Sequence, residues 1–309
     1  MKVDVIIPAL RPGERFFSLL ERLEEQSCPV NRVIVMNTET GPEGGRDPWE
    51  TPEFFARHPE VEVNGVKREE FDHGATRNAG VARSDAEIFV CMTQDVLPAD
   101  RDLIRRLTDA LRAEDGIAAA YARQLPEEDC GVIERFTRQF NYPEEPGVKG
   151  REDLARLGIK TYFCSNVCAA YRRDVFDRLG GFASPTIFNE DMIFAARAVK
   201  AGYKIAYAAG AEVIHSHNYT GRQQFSRNFD LGVSHAQHPE IFEEVPPEGE
   251  GMKLVKRTTA FLLRTRPWLL FRLIWQSGAK WIGYRMGRRY DRLPLWLVKR
   301  CSSQKSYWK

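Results

Sequence analysis

Val3-Asp4-Val5-Ile6-Ile7-Pro8-Ala9 opens the chain with a β-branched run that stops at a proline. Pro12-Gly13 then introduces Phe17, Leu20, Leu23 and Glu24 at helical spacing. A strand followed at once by a helix is half of a βαβ unit, and the alternation continues along the first 120 residues. Residues 32–36 read as a strand, Thr51-Pro52-Glu53 as an N-cap with proline at the first helical position, and residues 61–66 as a third strand. Residues 74–82 are expected as helix, 87–92 as strand, 100–112 as helix and 116–121 as strand. Strands alternating with helices predict a mostly parallel sheet covered on both faces. Ligands of such sheets lie beyond the carboxyl ends of the strands, so Pro8, Asn37 to Glu39 and Thr93 to Asp95 should converge on one cleft.

From 123 to 160 the pattern loosens into polar, Pro/Gly-rich sequence around a short helix at 132–140, expected to serve the acceptor side. Residues 161–171 resume as strand, 173–179 as helix, and Gly180-Gly181-Phe182 turns the chain. Phe188-Asn189-Glu190-Asp191 then leads into Met192, Ala195, Ala196 and Val199 at helical spacing, with Gly202 ending the run. Two carboxylates projecting from a rigid first turn are where a catalytic base would sit. The other reading is ordinary capping by Asn189 or Asp191, an acid complementing the helix dipole. Residues 204–207 and 212–215 read as two short strands. His215 and His217, two apart on a β-type run, share one face, which suits metal ligation as well as a hydrogen-bonded core pair.

Asp95 leaves a strand into the expected cleft, where a carboxylate suits Mg2+ or Mn2+ held together with substrate phosphates; a loop-capping role is the alternative. His73-Gly74 with Arg77-Asn78 opens a helix whose backbone N–H groups and arginine could receive an anionic nucleotide, or simply form a glycine turn.

The chain has 309 residues, 43% hydrophobic and 28% charged, and six scattered cysteines without a CxxC pair, read as reduced structural thiols. No apolar run approaches the roughly 18 residues of a membrane-spanning helix, so a cytoplasmic location is expected. The net charge of +2 hides a division. Residues 252–309 carry 15 Lys and Arg against the single acid Asp291, while residues 1–251 carry 30 basic and 42 acidic side chains. Within the tail, Phe261, Leu262, Leu263, Trp268, Leu269, Phe271, Ile274 and Trp275 alternate with arginines, as in basic amphipathic helices. An anionic membrane surface is the expected partner of 252–309, against packing on its own domain or on a second copy in a homo-oligomer. A non-catalytic protein that binds nucleic acid or a membrane surface through the basic tail is an alternative; the acidic strand region argues against nucleic acid as a partner.

Taken in order, Val5-Ile6-Ile7-Pro8-Ala9, Asp72-His73-Gly74-Ala75-Thr76-Arg77-Asn78-Ala79-Gly80, Gln94-Asp95, Leu179-Gly180-Gly181-Phe182, Glu190-Asp191, Gly202-Tyr203 and His215-Ser216-His217-Asn218-Tyr219 resemble the family 2 glycosyltransferases of GT-A fold. Within them the chain is most similar to rhamnosyltransferase-like bacterial members that assemble surface polysaccharide. A looser match runs from Lys280 to Tyr290 and over Leu293-Pro294.

The resemblance implies an α/β, Rossmann-like mixed sheet flanked by helices, with a C-terminal helical extension. Residues 1–120 would form the nucleotide-sugar-binding half, 121–220 the acceptor and catalytic half, and 221–309 a helical, basic amphipathic region. It implies an inverting transfer from a dTDP- or UDP-sugar to a glycan or lipid-linked acceptor. Asp191, with Glu190 beside it, stands for the base of the ED motif. Pro8, Ala9, Glu39, Asp72, His73, Gly74, Arg77, Asn78, Gln94 and Asp95 stand for the nucleotide pocket. Asp95, His215 and His217 stand for the ligands of Mg2+ or Mn2+. Thr93-Gln94-Asp95 offers one carboxylate where relatives often offer two, and Asn37-Thr38-Glu39 replaces an aspartate-rich segment. A sugar nucleotidyltransferase would share the strand-helix domain, but Pro8-Ala9-Leu10-Arg11-Pro12-Gly13 has one glycine where such enzymes place a glycine-rich loop.

Overall fold

A computed structural model describes residues 1–39, 49, 51–245 and 248–308. Its strands are β1 (Val3–Ala9), β2 (Arg32–Thr38), β3 (Val61–Val66), β4 (Ile88–Met92), β5 (Leu97–Pro98), β6 (Ile117–Leu125), β7 (Gly147–Lys149), β8 (Cys168–Arg172) and β9 (Lys204–Ile214). They form one mixed sheet in the order β3-β2-β1-β4-β8-β6-β9-β5, with β7 also on β9. β3, β2, β1 and β4 are mutually parallel, so Ala9 pairs with Asn37, Thr38 pairs with Val66, and the carboxyl ends of the three leading strands line one edge. β8 runs antiparallel between β4 and β6, while β6 and β9 are parallel.

The helices are α1 (Glu14–Glu24), α2 (Pro52–Arg57), α3 (His73–Arg83), α4 (Leu103–Arg112), α5 (Val132–Asn141), α6 (Leu154–Leu157), α7 (Arg173–Arg178), α8 (Glu190–Lys200), α9 (Gly221–Gln237), α10 (Pro239–Phe242), α11 (Glu248–Thr265), α12 (Leu270–Gly287) and α13 (Leu295–Cys301). Alternate residues of the buried strands serve opposite cores. Val5 and Ile7 pack with α1 and α4 residues such as Leu20 and Leu107, while Ile6 and Phe89 pack with Phe176 and Phe194 of α7 and α8.

Two expectations are corrected. Residues 158–162 form a 3-10 turn, and the strand expected from 161 is confined to Cys168–Arg172, because Lys149 donates to the carbonyls of Lys160 and Phe163 and holds that segment out of the sheet. The two short strands expected at 204–207 and 212–215 are one strand, β9, with an irregularity where Ala122–Arg123 faces Ala208–Glu212. Gly210 at that bulge hides the strand's continuity from a reading of alternation.

The C-terminal region packs on α9 at backbone distance. A Cβ on Gly283 would lie 2.3 Å from the Phe225 carbonyl oxygen, and one on Gly287 would lie 2.0 Å from that of Phe229. These glycines, four apart on one face of α12, let two helices meet where side chains would hold them apart. The opposite face of α12 is bare: Phe271 is 84% exposed, Ile274 68%, Trp275 70% and Trp281 64%. Among the described residues no helix is long and apolar enough to cross a membrane.

Candidate active site

At the shared edge, β1 ends in Pro8 and buried Ala9, and Gln94, just beyond β4, clamps the following loop. The Gln94 amide accepts from Leu10 N at 2.7 Å and donates to Leu10 O at 3.1 Å. Glu39, after β2, is exposed, with its carboxylate over Gly65. Arg15 of α1 reaches across the same edge to the carbonyls of Asp95 and Ile214 and to the carboxylate of Glu127. It thereby ties the Asp95 turn to the end of β9.

Asp95, His215 and His217 come together. His215 Nε2 lies 3.6 Å from Asp95 Oδ1, and His217 Nε2 lies 3.3 Å from Asp95 Oδ2. One ligand atom from each lies within 4.8 Å of the others. Burial opposes ionisation of Asp95, but hydrogen bonds from His215 and His217 outweigh it and hold the carboxyl well below the usual carboxylate range. Burial pushes the His215 imidazole down, against the pull of Asp95, and so favours its neutral form.

The other nitrogen of His215 is fixed from β6. Nδ1 donates to Gln124 Oε1 at 3.2 Å, an oxygen that also accepts from Arg138. The Gln124 amide nitrogen donates to the Tyr142 hydroxyl at 2.6 Å and to Ser165 Oγ at 3.0 Å. With Nδ1 turned to Gln124, Nε2 is the nitrogen facing Asp95, and it would serve as a lone pair only toward a cation held between them. One anion and one or two neutral imidazoles with a supporting acceptor behind them are a donor set that a divalent cation would fit.

Asp191 and Glu190 follow Asn189, whose left-handed backbone (φ 65, ψ 27) turns the chain into α8 and whose buried Nδ2 lacks a partner. Such strain in a non-glycine residue gathers at functional sites. Neither residue supplies the expected side-chain cap in the ordinary way. Asp191 instead takes Asn166 N on Oδ2 and its neighbour Met192 N on Oδ1, each at 2.7 Å. These bonds fix the plane of a carboxylate that keeps partial exposure. Burial first, then the charge of Glu190, raises its pKa despite them. Asn166 also donates through Nδ2 to Glu190 at 3.0 Å and accepts from the Tyr171 hydroxyl. Ser165 therefore belongs to the Gln124 network and Asn166 to the carboxylate pair. Asp95 and Asp191 are joined through His215, Gln124 and the Ser165-Asn166 step.

Several expected pocket residues face inward. Glu190 pairs with Arg77 at 3.0 Å, both buried. Burial disfavours the charged form of each, yet the pair holds Glu190 ionised with its pKa lowered. Glu190 is thus a buried counter-ion beneath Asp191, and Arg77 its partner, not a phosphate ligand in an open cleft. Asp72 caps α3 through Ala75 N and accepts Thr186 N on its other oxygen, both at 2.6 Å. Asn78 exchanges two 2.9 Å bonds with the backbone of Phe182. A Cβ on Gly74 would fall 1.9 Å from the Ala183 carbonyl oxygen. These three residues pin the segment from Phe182 to Thr186, which delivers Asp191 to the site. His73 is half-buried with its ring nitrogen 3.3 Å from Gln304, and desolvation lowers its pKa.

Beside His217 opens a narrow cleft bounded by α5, Tyr219 and α12, with Thr137, Gln276, Arg272 and Lys280 on its walls. The sequence reading missed Arg15, Gln124, Asn166 and Arg138, whose contacts span up to 199 positions; only proximity in the fold exposes them.

A nucleotide-sugar transferase sheet with a histidine-carboxylate cluster at its edge and a carboxylate on the adjoining helix defines a glycosyltransferase of GT-A type. The chain belongs to glycosyl transferase family 2, whose model matches residues 4–180. It is 39% identical over 310 residues to the O-antigen chain rhamnosyltransferase RfbN of Salmonella typhimurium, covering 100% of this chain and 96% of the relative. It is 43% identical over 245 residues to the O-antigen chain rhamnosyltransferase WbaN of Salmonella anatum, covering 79% and 78%. In fold it is similar to the mannosyltransferase PcManGT from Pyrobaculum calidifontis in complex with GDP-Man and Mn2+, with TM-score 0.59, 17% identity and coverage of 99% and 84%. It is also similar to TarS of S. aureus in complex with UDP-GlcNAc, with TM-score 0.54, 14% identity and coverage of 94% and 92%.

Proposed function

We propose that this glycosyltransferase moves a rhamnosyl group from a dTDP- or UDP-linked donor to a lipid-linked glycan during surface polysaccharide assembly, with inversion at the anomeric carbon. Likeness to two O-antigen chain rhamnosyltransferases over most of both chains supports the sugar and the acceptor class. The observation that carries the chemistry is the continuous link from the Asp95, His215 and His217 cluster through Gln124 to Asn166 and Asp191.

Asp191 takes the proton of an acceptor hydroxyl as that oxygen bonds to the anomeric carbon and the bond to the nucleoside diphosphate breaks. Asn166 and Met192 N–H groups hold its plane, and the raised pKa makes it a stronger base than an ordinary carboxylate. Asp95, His215 and His217 would hold a divalent cation, with imidazole donors favouring Mn2+ over Mg2+; the ion supplies charge compensation for the departing diphosphate. Pro8, Ala9, Glu39 and Gln94 shape the nucleotide side, where Gln94 keeps the 8–10 loop in place.

The acceptor side is the cleft beside His217, and α12 carries that cleft's Arg272 and Lys280 on one flank and exposed Phe271, Ile274, Trp275 and Trp281 on another. Bare aromatic rings interleaved with arginines suit an anionic leaflet and support a peripheral position at the inner face of the plasma membrane. The test is transfer from dTDP-rhamnose and UDP-sugars to a lipid-diphosphate-sugar acceptor, with product configuration read by NMR. Absence of transfer from every nucleotide sugar, or a product with retained configuration, overturns the reading.

A further inference from the structure

We propose that Arg227 is a diphosphate ligand of this site, closing on the donor's leaving group from the C-terminal helices. This rests on the nucleotide-sugar reading above and adds a residue to it. Arg227 lies on α9, whose start is fixed directly after the histidine run by a capping box between Thr220 and Gln223. Its guanidinium carbon sits 4.9 Å from the Tyr219 ring centroid and 5.4 Å from that of Phe188. Tyr219 continues the run that supplies His215 and His217, and its ring lies 4.9 Å from that of His217. Phe188 is three residues before Asp191. One cation therefore touches both walls of the site, the metal-binding side through Tyr219 and the base side through Phe188.

Three guanidiniums of the sheet side are already committed, Arg15 to Glu127, Arg77 to Glu190 and Arg138 to Glu134, while Arg272 lines the cleft on the far side of His217. Among the described residues no carboxylate lies within ion-pairing distance of Arg227, and its near neighbour Asp230 accepts the Ser303 amide and hydroxyl on Oδ2. A guanidinium held by ring faces uses its π surface and leaves its in-plane N–H donors free. Those donors match the paired oxygens of a diphosphate in a bidentate fork. Among the described residues Asp95 is the single acid of its cation cluster, so a second cation facing the diphosphate would add to the charge compensation there. A diphosphate reaches such a site either on the nucleotide donor or on a lipid acceptor, and the position of Arg227 between the cation cluster and the base favours the donor.

Calorimetry in EDTA separates these sources and removes any metal contribution. The probes are dTDP, dTMP and farnesyl diphosphate, on the wild type and on Arg227→Met, which keeps a stem for the two rings. The wild type should bind dTDP more tightly than dTMP. Arg227→Met should weaken dTDP by roughly 10- to 100-fold, as expected for charge-assisted hydrogen bonds, and leave dTMP unchanged. Unchanged dTDP affinity, equal losses for dTDP and dTMP, or a loss confined to farnesyl diphosphate overturns the assignment. If the wild type binds no nucleotide among dTDP, UDP and GDP even with Mn2+, the functional reading itself falls and the assignment with it. An unaltered melting temperature of Arg227→Met in the absence of ligand separates ligand loss from misfolding.

Discussion

His215 donates from Nδ1 to the side-chain oxygen of Gln124 at 3.2 Å, so that Nε2 is the nitrogen turned toward Asp95 and would meet a cation held there. Because Arg138 donates to the same oxygen, that atom is the amide carbonyl and the histidine must bring the proton. Gln124→Leu removes the acceptor and frees the ring to turn. Loss of such a supporting partner ordinarily costs about 10- to 100-fold in metal affinity. Titration with Mn2+ by calorimetry should show that drop, with the far-UV circular dichroism unchanged.

Two adjacent acids should answer to different assays. Asp191→Asn is expected to lower kcat by about 10²- to 10⁴-fold while donor affinity holds, as for a positioned general base. Glu190→Gln leaves the buried Arg77 guanidinium without its counter-ion, which typically destabilises by about 3–5 kcal/mol. Urea denaturation should record that second loss and show little change for Asp191→Asn. Equal unfolding midpoints for the wild type and Glu190→Gln would contradict the assignment of Glu190 as a counter-ion.

The pH dependence follows from the same pair. Burial and the Glu190 charge raise the pKa of Asp191, so its carboxyl stays protonated above the ordinary aspartate value of about 3.9. A protonated carboxyl cannot accept the acceptor's proton, so kcat/KM should fall as pH drops toward that range from neutrality. A protonated native carboxyl also means the folded state binds more protons than the unfolded chain there. Asp191 therefore favours folding at low pH, and that contribution is lost as pH rises through its native pKa. Rate profiles from pH 5 to 9 on protein verified as folded at each point would show the limb, and Asp191→Asn should lack it.

Gly287→Val introduces a side chain where a Cβ alone would already sit 2.0 Å from the Phe229 carbonyl oxygen. Helices α9 and α12 must separate to admit it. Overpacking of this kind typically costs about 1–3 kcal/mol or more. The expected result is a lower melting temperature and protease cleavage between α9 and α12, with no comparable effect from Gly278→Ala, whose surroundings are open.

The bare face of α12 predicts binding to vesicles containing anionic lipid. Replacing Phe271, Trp275 and Trp281 together with serine should abolish flotation with phosphatidylglycerol vesicles, and raised salt should weaken it, since each basic residue near such a surface contributes about 1 kcal/mol. A variant that floats as well as the wild type would show that the exposed rings serve another contact.

Local patterning made the leading half of the fold legible. The β-branched run at Val3 and the proline at the start of α2 mark their elements through backbone chemistry that neighbours in sequence decide. The strand after residue 161 was misread because its apolar residues are spent on a buried turn held by Lys149, a contact between distant positions. The site divides in the same way. Asp95, Asp191 and the two histidines stood out by residue type and placement at element ends. Asp72, Gly74, Arg77 and Asn78 stood out equally, yet they hold the loop before α8 and the base of the site, Gly74 by close backbone approach.

Sequence alone determined the alternation of strands and helices, the charge division between body and tail, and the residue types available for acid-base and metal chemistry, because these depend on composition and on spacing along the chain. Tertiary structure decided which of two neighbouring acids keeps partial exposure and which is a buried counter-ion. It also decided which nitrogen of His215 faces Gln124 and which faces Asp95, and which face of α12 is packed and which is bare. Those outcomes depend on desolvation and on hydrogen-bond partners brought from distant positions, and neither quantity exists until the chain has closed around them.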